Sequence, residues 1–183
     1  LIVGTPTFEA TIQASELDEP LSPTRYTVRK PSRRGSADVP AVEHDDGLFF
    51  IQRSGQRVYE MSAAGDATSR LSTTDMTRLI PNAASVGIIA AAVQQQPDTR
   101  LYCVLSDGTC LVLTYDKDDQ VAAWTTITTT NGLIEDVCVL PAEEQDEVYF
   151  IVNRNSGQRF LEKLAPEAEQ LAVGTCALLD AHK

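Results

Sequence analysis

Leu101-Tyr-Cys-Val-Leu105, Asp107-Gly108 and Cys110-Leu-Val-Leu-Thr-Tyr115 form the stretch on which the fold turns. Two runs rich in β-branched and aromatic residues flank an Asp-Gly pair, which is a strong short signal for a β-hairpin. An apolar run, residues 89–93, and a polar loop, residues 94–100, precede it. The same order recurs upstream and downstream. Upstream it reads as residues 37–42, the acidic loop Glu43-His-Asp-Asp-Gly47, Leu48-Phe-Phe-Ile-Gln-Arg53, a turn at Ser54-Gly-Gln56 and Arg57-Val-Tyr-Glu-Met61. Downstream it reads as residues 135–140, Pro141-Ala-Glu-Glu-Gln-Asp-Glu147, Val148-Tyr-Phe-Ile-Val152, a turn at Asn155-Ser-Gly157 and Arg159-Phe-Leu-Glu-Lys-Leu164. The second strands begin at Leu48, Leu101 and Val148, spacings of 53 and 47 residues, close to the roughly 40 to 50 residues of a propeller blade.

The pattern predicts an all-β chain, a partial β-propeller of three to four antiparallel blades with one short helix. Blade repeats are expected at residues 37–62, 89–127 and 134–165, inside a single propeller-like domain spanning residues 1–183. Phe8-Glu-Ala-Thr-Ile-Gln-Ala14 and Tyr26-Thr-Val-Arg29 read as strands split by a loop containing Pro20 and Pro23, so residues 1–30 are assigned to a preceding blade. Residues 72–80 carry N-cap candidates before Met76, Leu79 and Ile80, with Pro81 as a stop, and predict the helix. Only the second repeat shows a clear outer strand, Val121-Ala-Ala-Trp-Thr-Thr-Ile127. Residues 166–170 read as loop or a helical turn, and residues 173–179 as the start of a following blade. Blades bury their flat faces against one another, so a ring with this few is open, completed by further sequence, or closed by partner chains. The opening Leu1-Ile-Val-Gly, without an initiator Met or a basic-then-apolar leader, reads as part of a longer polypeptide.

At 183 residues the chain can bury one sizeable core. No apolar run approaches the ~20 residues of a spanning helix, which argues against membrane insertion. A net charge of −11 disfavours tight nucleic-acid binding. The local exception is Arg25, Arg29, Lys30, Arg33 and Arg34, which could meet phosphate or an acidic neighbouring subunit; a solvated strand edge is the favoured reading. Cysteines at 103, 110, 138 and 176 lack C-x-x-C spacing and nearby histidines. With Asp107-Gly108 as the turn, Cys110 is expected across from Leu105 and Cys103 from Val112. That diagonal, ~7 to 8 Å, suits a disulfide poorly, so free, packed thiols in a reducing compartment are expected.

Residues 21–30, 35–40, 48–61, 111–117, 121–124, 134–141, 147–152 and 159–164, in that order and spacing, resemble the propeller-bearing hub or nozzle proteins of short-tailed bacteriophages and their prophage relatives. The resemblance spans roughly residues 20–180. It implies a non-enzymatic structural component of a virion, assembled in the bacterial host cytoplasm with other tail subunits as a homo-oligomer around the DNA exit path, with transient DNA passage and no specific nucleic-acid binding. Members of that family are longer than this chain and carry a complete propeller.

The residues give no competing catalytic signal. His44 in its acidic loop and His182 near the last residue are both expected to be solvated. Ser36 lacks the glycine frame of a nucleophile elbow. Asp116-Lys-Asp-Asp-Gln-Val121 starts like a calcium loop but has Val121 where glycine is required, and reads as a polar turn. Glu143-Glu-Gln-Asp-Glu147 reads as a solvated loop, with a cation or basic partner as the rival explanation. No glycine-rich phosphate loop is present. No catalytic, cofactor or metal residues are therefore assigned. Trp124 and the pairs Phe49-Phe50 and Tyr149-Phe150 are expected in the core; were they clustered on an exposed face, they would support a carbohydrate- or host-surface-binding module instead. A cellular protein-interaction scaffold is the third reading.

Overall fold

The computed structural model describes residues 1–14, 20–45, 47–63, 71–154 and 157–166. Fourteen strands form four antiparallel sheets, and no helix occurs among the described residues. The first sheet holds β1 (Ile2–Gly4), β2 (Glu9–Ala14) and β3 (Tyr26–Ser32). The second holds β4 (Val42–His44), β5 (Gly47–Ile51), β6 (Val58–Ala63) and β7 (Leu71–Asp75). The third holds β8 (Ile88–Gln94), β9 (Arg100–Leu105), β10 (Cys110–Asp116) and β11 (Val121–Ile127). The fourth holds β12 (Gly132–Leu140), β13 (Glu147–Arg154) and β14 (Arg159–Lys163). In every sheet the strands lie side by side in chain order.

Period-two alternation explains how the sheets stack, because successive side chains on a strand face opposite ways. Phe49, Ile51 and Val58 of the second sheet share one core with Leu101, Cys103, Leu111 and Leu113 of the third. The opposite face of the third sheet, with Tyr102, Val104, Cys110 and Val112, shares another with Ile134, Val137, Val148, Phe150 and Val152 of the fourth. Leu48, Phe50, Tyr59 and Met61 form a third cluster on the other side of the second sheet. Burying such a side chain fully contributes about 1.5–3 kcal/mol, so the second and third sheets, each with buried side chains on both faces, carry most of the core among the described residues.

The hairpin turns repeat one hydrogen-bond plan. Gly55 donates its N–H to Gln52, Gly108 to Leu105 and Gly157 to Arg154, and in each case the earlier residue's own N–H reaches across the turn to Arg57, Thr109 or Gln158. The three glycines have φ between 74° and 83°, a left-handed conformation that glycine adopts without penalty. Each sheet is also tied to its successor. Thr5 O accepts from Ser36 N–H at 2.8 Å, Gly55 O from Ile88 at 2.7 Å and Gly108 O from Ile134 at 3.0 Å.

Several expectations are corrected. Residues 72–80 are not helical: Leu71–Asp75 is β7, whose alternating half-buried and exposed residues pair with β6. The threonines favour the pleated surface, Leu71 packs on the Phe50 cluster, and Leu79, expected on a buried helix face, is 87% exposed. Asp75 Oδ1 accepts from both the N–H and the hydroxyl of Thr77, so the polar residues taken for a helix cap end a strand in a turn. The second sheet thus has an outer strand too, and its first strand is Val42–His44 rather than residues 37–42; Ala37 instead donates to Ile51 O. The opening residues 2–4 form a strand paired with β2. Cys110 lies across from Val104, one place from expectation, because the left-handed Gly108 lengthens the turn by a residue. Residues 155–156, 167–170 and the expected strand at 173–179 lie outside the described residues.

Candidate functional site

The largest departure from the sequence reading is His44. It ends β4, is buried, and stacks on Phe49 with ring centroids 4.3 Å apart and planes 22° from parallel. The edge of Tyr115, on β10 of the next sheet, meets it at 5.8 Å. Its Nε2 is 3.7 Å from Oε1 of Glu60, and both side chains are 5% exposed. Gly47 makes room for this ring: a Cβ there would stand 3.3 Å from Nε2 and 2.5 Å from Met61 O. Burial, and then the charge and hydrogen bonding of Glu60, push the Tyr115 hydroxyl up to about 12. His44, Glu60 and Tyr115 therefore form a polar plug between the second and third sheets.

Outside this plug lies a cleft of about 500 Å³, lined by Asp45, Asp98, Asp116, Lys117 and Asp118 among others. Two of these aspartates are tied into local structure. Asp98 pairs with Arg100 at 2.8 Å, and Asp116 Oδ1 accepts from Asp119 N–H at 2.9 Å, closing the polar turn expected between β10 and β11. The hydroxyl-bearing residues among the described lining are Thr99, Thr114 and Tyr115. Among the described residues, no group of three or more His, Cys, Asp or Glu side chains is arranged to hold a metal.

The other singled-out residues are dispersed. Ser36 donates to Oε1 of buried Glu9 at 3.1 Å, between the first and second sheets. Cys103 and Cys110 are free thiols buried on opposite faces of the third sheet; burial raises both, Cys110 to about 12 and Cys103 further. Cys138 is free and exposed, while Cys176 and His182 lie outside the described residues. Trp124 is half-buried against the first core and donates Nε1–H to Met76 O at 2.9 Å. Phe49 and Phe50 enter successive cores, Phe150 enters the core shared with the third sheet, and Tyr149 faces the other way. The exposed rings Tyr26 and Phe160 stand on the first and fourth sheets and make no cluster. Arg29 and Lys30 lie on edge strand β3, where Lys30 covers the Phe8 ring at 4.2 Å, and Arg34 in the following loop covers Tyr59 at 5.1 Å.

One polar connector was invisible in the sequence. Gln94, fully buried, accepts from the Tyr102 hydroxyl at 2.8 Å and donates to Gln96 O at 2.7 Å. Asp146, from the acidic run expected to be a solvated loop, accepts from the N–H groups of Gln95 and Gln96 at 2.8 and 3.1 Å. Its neighbour Glu147 accepts from Lys163 and then Tyr149, which in that order hold its carboxyl below the usual range. The run therefore fastens the fourth sheet to the third. Among the described residues, no helix is long and apolar enough to cross a membrane. No protein-family model matches the chain, and no curated protein matches it.

Proposed function

We propose that this chain is a run of β-propeller blades from a structural subunit of a phage or prophage tail, of the hub or nozzle type, working without catalysis as part of a homo-oligomer in the virion. The observation that carries the propeller part is the repeated link between sheets: a hairpin-turn carbonyl in one sheet accepts from an N–H that leads into the next, three times over. The first strands β4, β8 and β12 also lie against one another in sequence, as inner strands around an axis would. The tail assignment rests on the resemblance of residues 20–180, and the non-catalytic role on the packing of His44 between the rings of Phe49 and Tyr115. The acidic balance suits a passage along which DNA slides without adhering, since like charges repel. The test is immunogold labelling of induced particles with an antibody to this chain. Gold at the tail end supports the assignment; purified particles lacking the chain would refute it.

A further inference from the structure

The last strands of the four sheets, β3, β7, β11 and β14, differ in how they are guarded. A strand with one side unpaired offers its backbone N–H and C=O groups to any extended chain, and proteins protect such edges with charge, proline or shortness. Three of the four carry such protection: Arg29, Lys30 and Pro31 on β3, Asp75 on the five-residue β7, and Arg159, Glu162 and Lys163 on β14. β11 has none. Val121–Ile127 is seven residues long, pairs with β10 at seven successive positions without a bulge, and ends its sheet. Residues 120–134 hold no Asp, Glu, Lys or Arg, in a chain where these make up 22%, so no charge keeps an incoming strand away. Val121, Ala122, Ala123, Thr125 and Thr126 are exposed, whereas Trp124 is anchored by its bond to Met76 O and Ile127 packs on the core shared with the fourth sheet. The third sheet has a described neighbour on each face, so what it leaves open among the described residues is this edge. Charge says what fits it. The stretch leading into β11, Asp116-Lys-Asp-Asp-Gln120, is exposed throughout, and the cleft lined by Asp45, Asp98, Asp116 and Asp118 extends to Val121, the first residue of β11. One end of the edge is acidic and the rest is neutral.

We propose that β11 is a docking edge for another protein, an extended segment of which adds to the four-stranded third sheet as a further strand, with neutral β-branched residues along Val121–Ile127 and Arg or Lys side chains at its end over the acidic cleft. Main-chain hydrogen bonds supply the affinity, and the aspartates fix the direction in which the segment lies. The inference stands on the third sheet alone and goes beyond the tail reading.

The probe is a fluorescent peptide of about ten residues, long enough to span β11 and reach the cleft, alternating valine and threonine with arginines at one end. Fluorescence anisotropy is expected to show saturable binding, weakened about tenfold by Asp118→Lys, by added salt, and by glutamates in place of the peptide's arginines. A version methylated at its valine and threonine nitrogens keeps the side chains and loses the donors, and its binding is expected to vanish. Thr125→Lys, which places a charge on the exposed edge, should have the same effect. Amide exchange along Val121–Ile127 should slow in the unaltered chain when the peptide is present. No binding at ~100 µM, binding that survives methylation, or unchanged exchange in β11 overturns the proposal. Light scattering of the chain alone addresses the other occupant: self-association that Thr125→Lys abolishes gives the edge to a second copy and overturns the assignment to a partner segment. If Thr125→Lys loses its circular-dichroism signature, the methylated peptide and the amide exchange of the unaltered chain decide. A peptide that fails to bind leaves the tail assignment standing, and particles lacking the chain leave the docking edge standing.

Discussion

Replacing Gly108 by alanine separates two costs that usually arrive together. With φ at +83°, the residue sits where an L side chain is strained by about 1–2 kcal/mol. A Cβ would also lie 2.6 Å from both Cβ and Cδ2 of Leu133 and 2.9 Å from its Cα. Backbone and Cβ cannot swing aside as a flexible side-chain tip can, so overpacking adds about 1–3 kcal/mol. Gly87 is the control, since φ is +96° but no atom lies within 4 Å of the position its Cβ would take. Gly87→Ala should therefore cost only the conformational part, and Gly108→Ala about 2–5 kcal/mol. The excess should appear as a lower urea midpoint at unchanged slope. Because Gly108 O also holds Ile134 N–H, amide exchange at Ile134 should quicken in the Gly108 variant alone. Leu133→Ala in the same chain removes the Cδ2 contact and leaves Cβ, so recovery should be partial. Equal losses for the two glycine variants, within about 0.5 kcal/mol, would refute the argument that this turn is wedged against the fourth sheet.

Tyr102→Phe leaves the buried Oε1 of Gln94 without the tyrosine hydroxyl and should cost about 1–3 kcal/mol in denaturant unfolding. Among the three described cysteines, peptide mapping after thiol labelling should find Cys138 modified in the native protein and Cys103 and Cys110 modified only on unfolding. The folded-state pKa of Tyr115 lies above its unfolded value of 10, so its contribution to stability is complete below about pH 10 and is lost as pH rises toward 12. The urea midpoint should fall across that window, and Tyr115→Phe should flatten the fall. Asp146→Ala should loosen the fourth sheet first, read as faster exchange at Gln95 and Gln96.

The hairpins were legible because their signals are local: a left-handed glycine at 55, 108 and 157, flanked by runs whose alternation matches the pleat. The one-place error at Cys110 came from the same glycine, whose extra turn residue changes the register without changing the composition. β7 was illegible since Leu71 is its only apolar residue, and Ser72, Thr73 and Thr74 read equally well as a cap. Pairing with β6 decided the matter, a case of tertiary context overriding local preference. The burial of His44 could not be read from Glu43-His-Asp-Asp46 because its cover comes from Phe49, Glu60 and Tyr115, on three other strands. Gln94 looked like the first residue of a polar loop; its burial depends on Asp146, which the third and fourth sheets bring alongside only after both have formed.

Among the described residues, every strand pairs only with strands adjacent to it in the chain, and that ordering bears on how the molecule acquires its shape. Within a sheet, closing each hairpin costs little entropy, and no sheet waits for a distant segment before its strands can pair. The third sheet, tied by Ile88 to the sheet before it and through Gly108 to the sheet after it, can grow on a surface already laid down as the ribosome delivers residues 88–127. Folding should then advance as a zipper running with translation, so that a stalled nascent chain ending near residue 127 already carries a protected second sheet, whereas one ending near residue 75 does not.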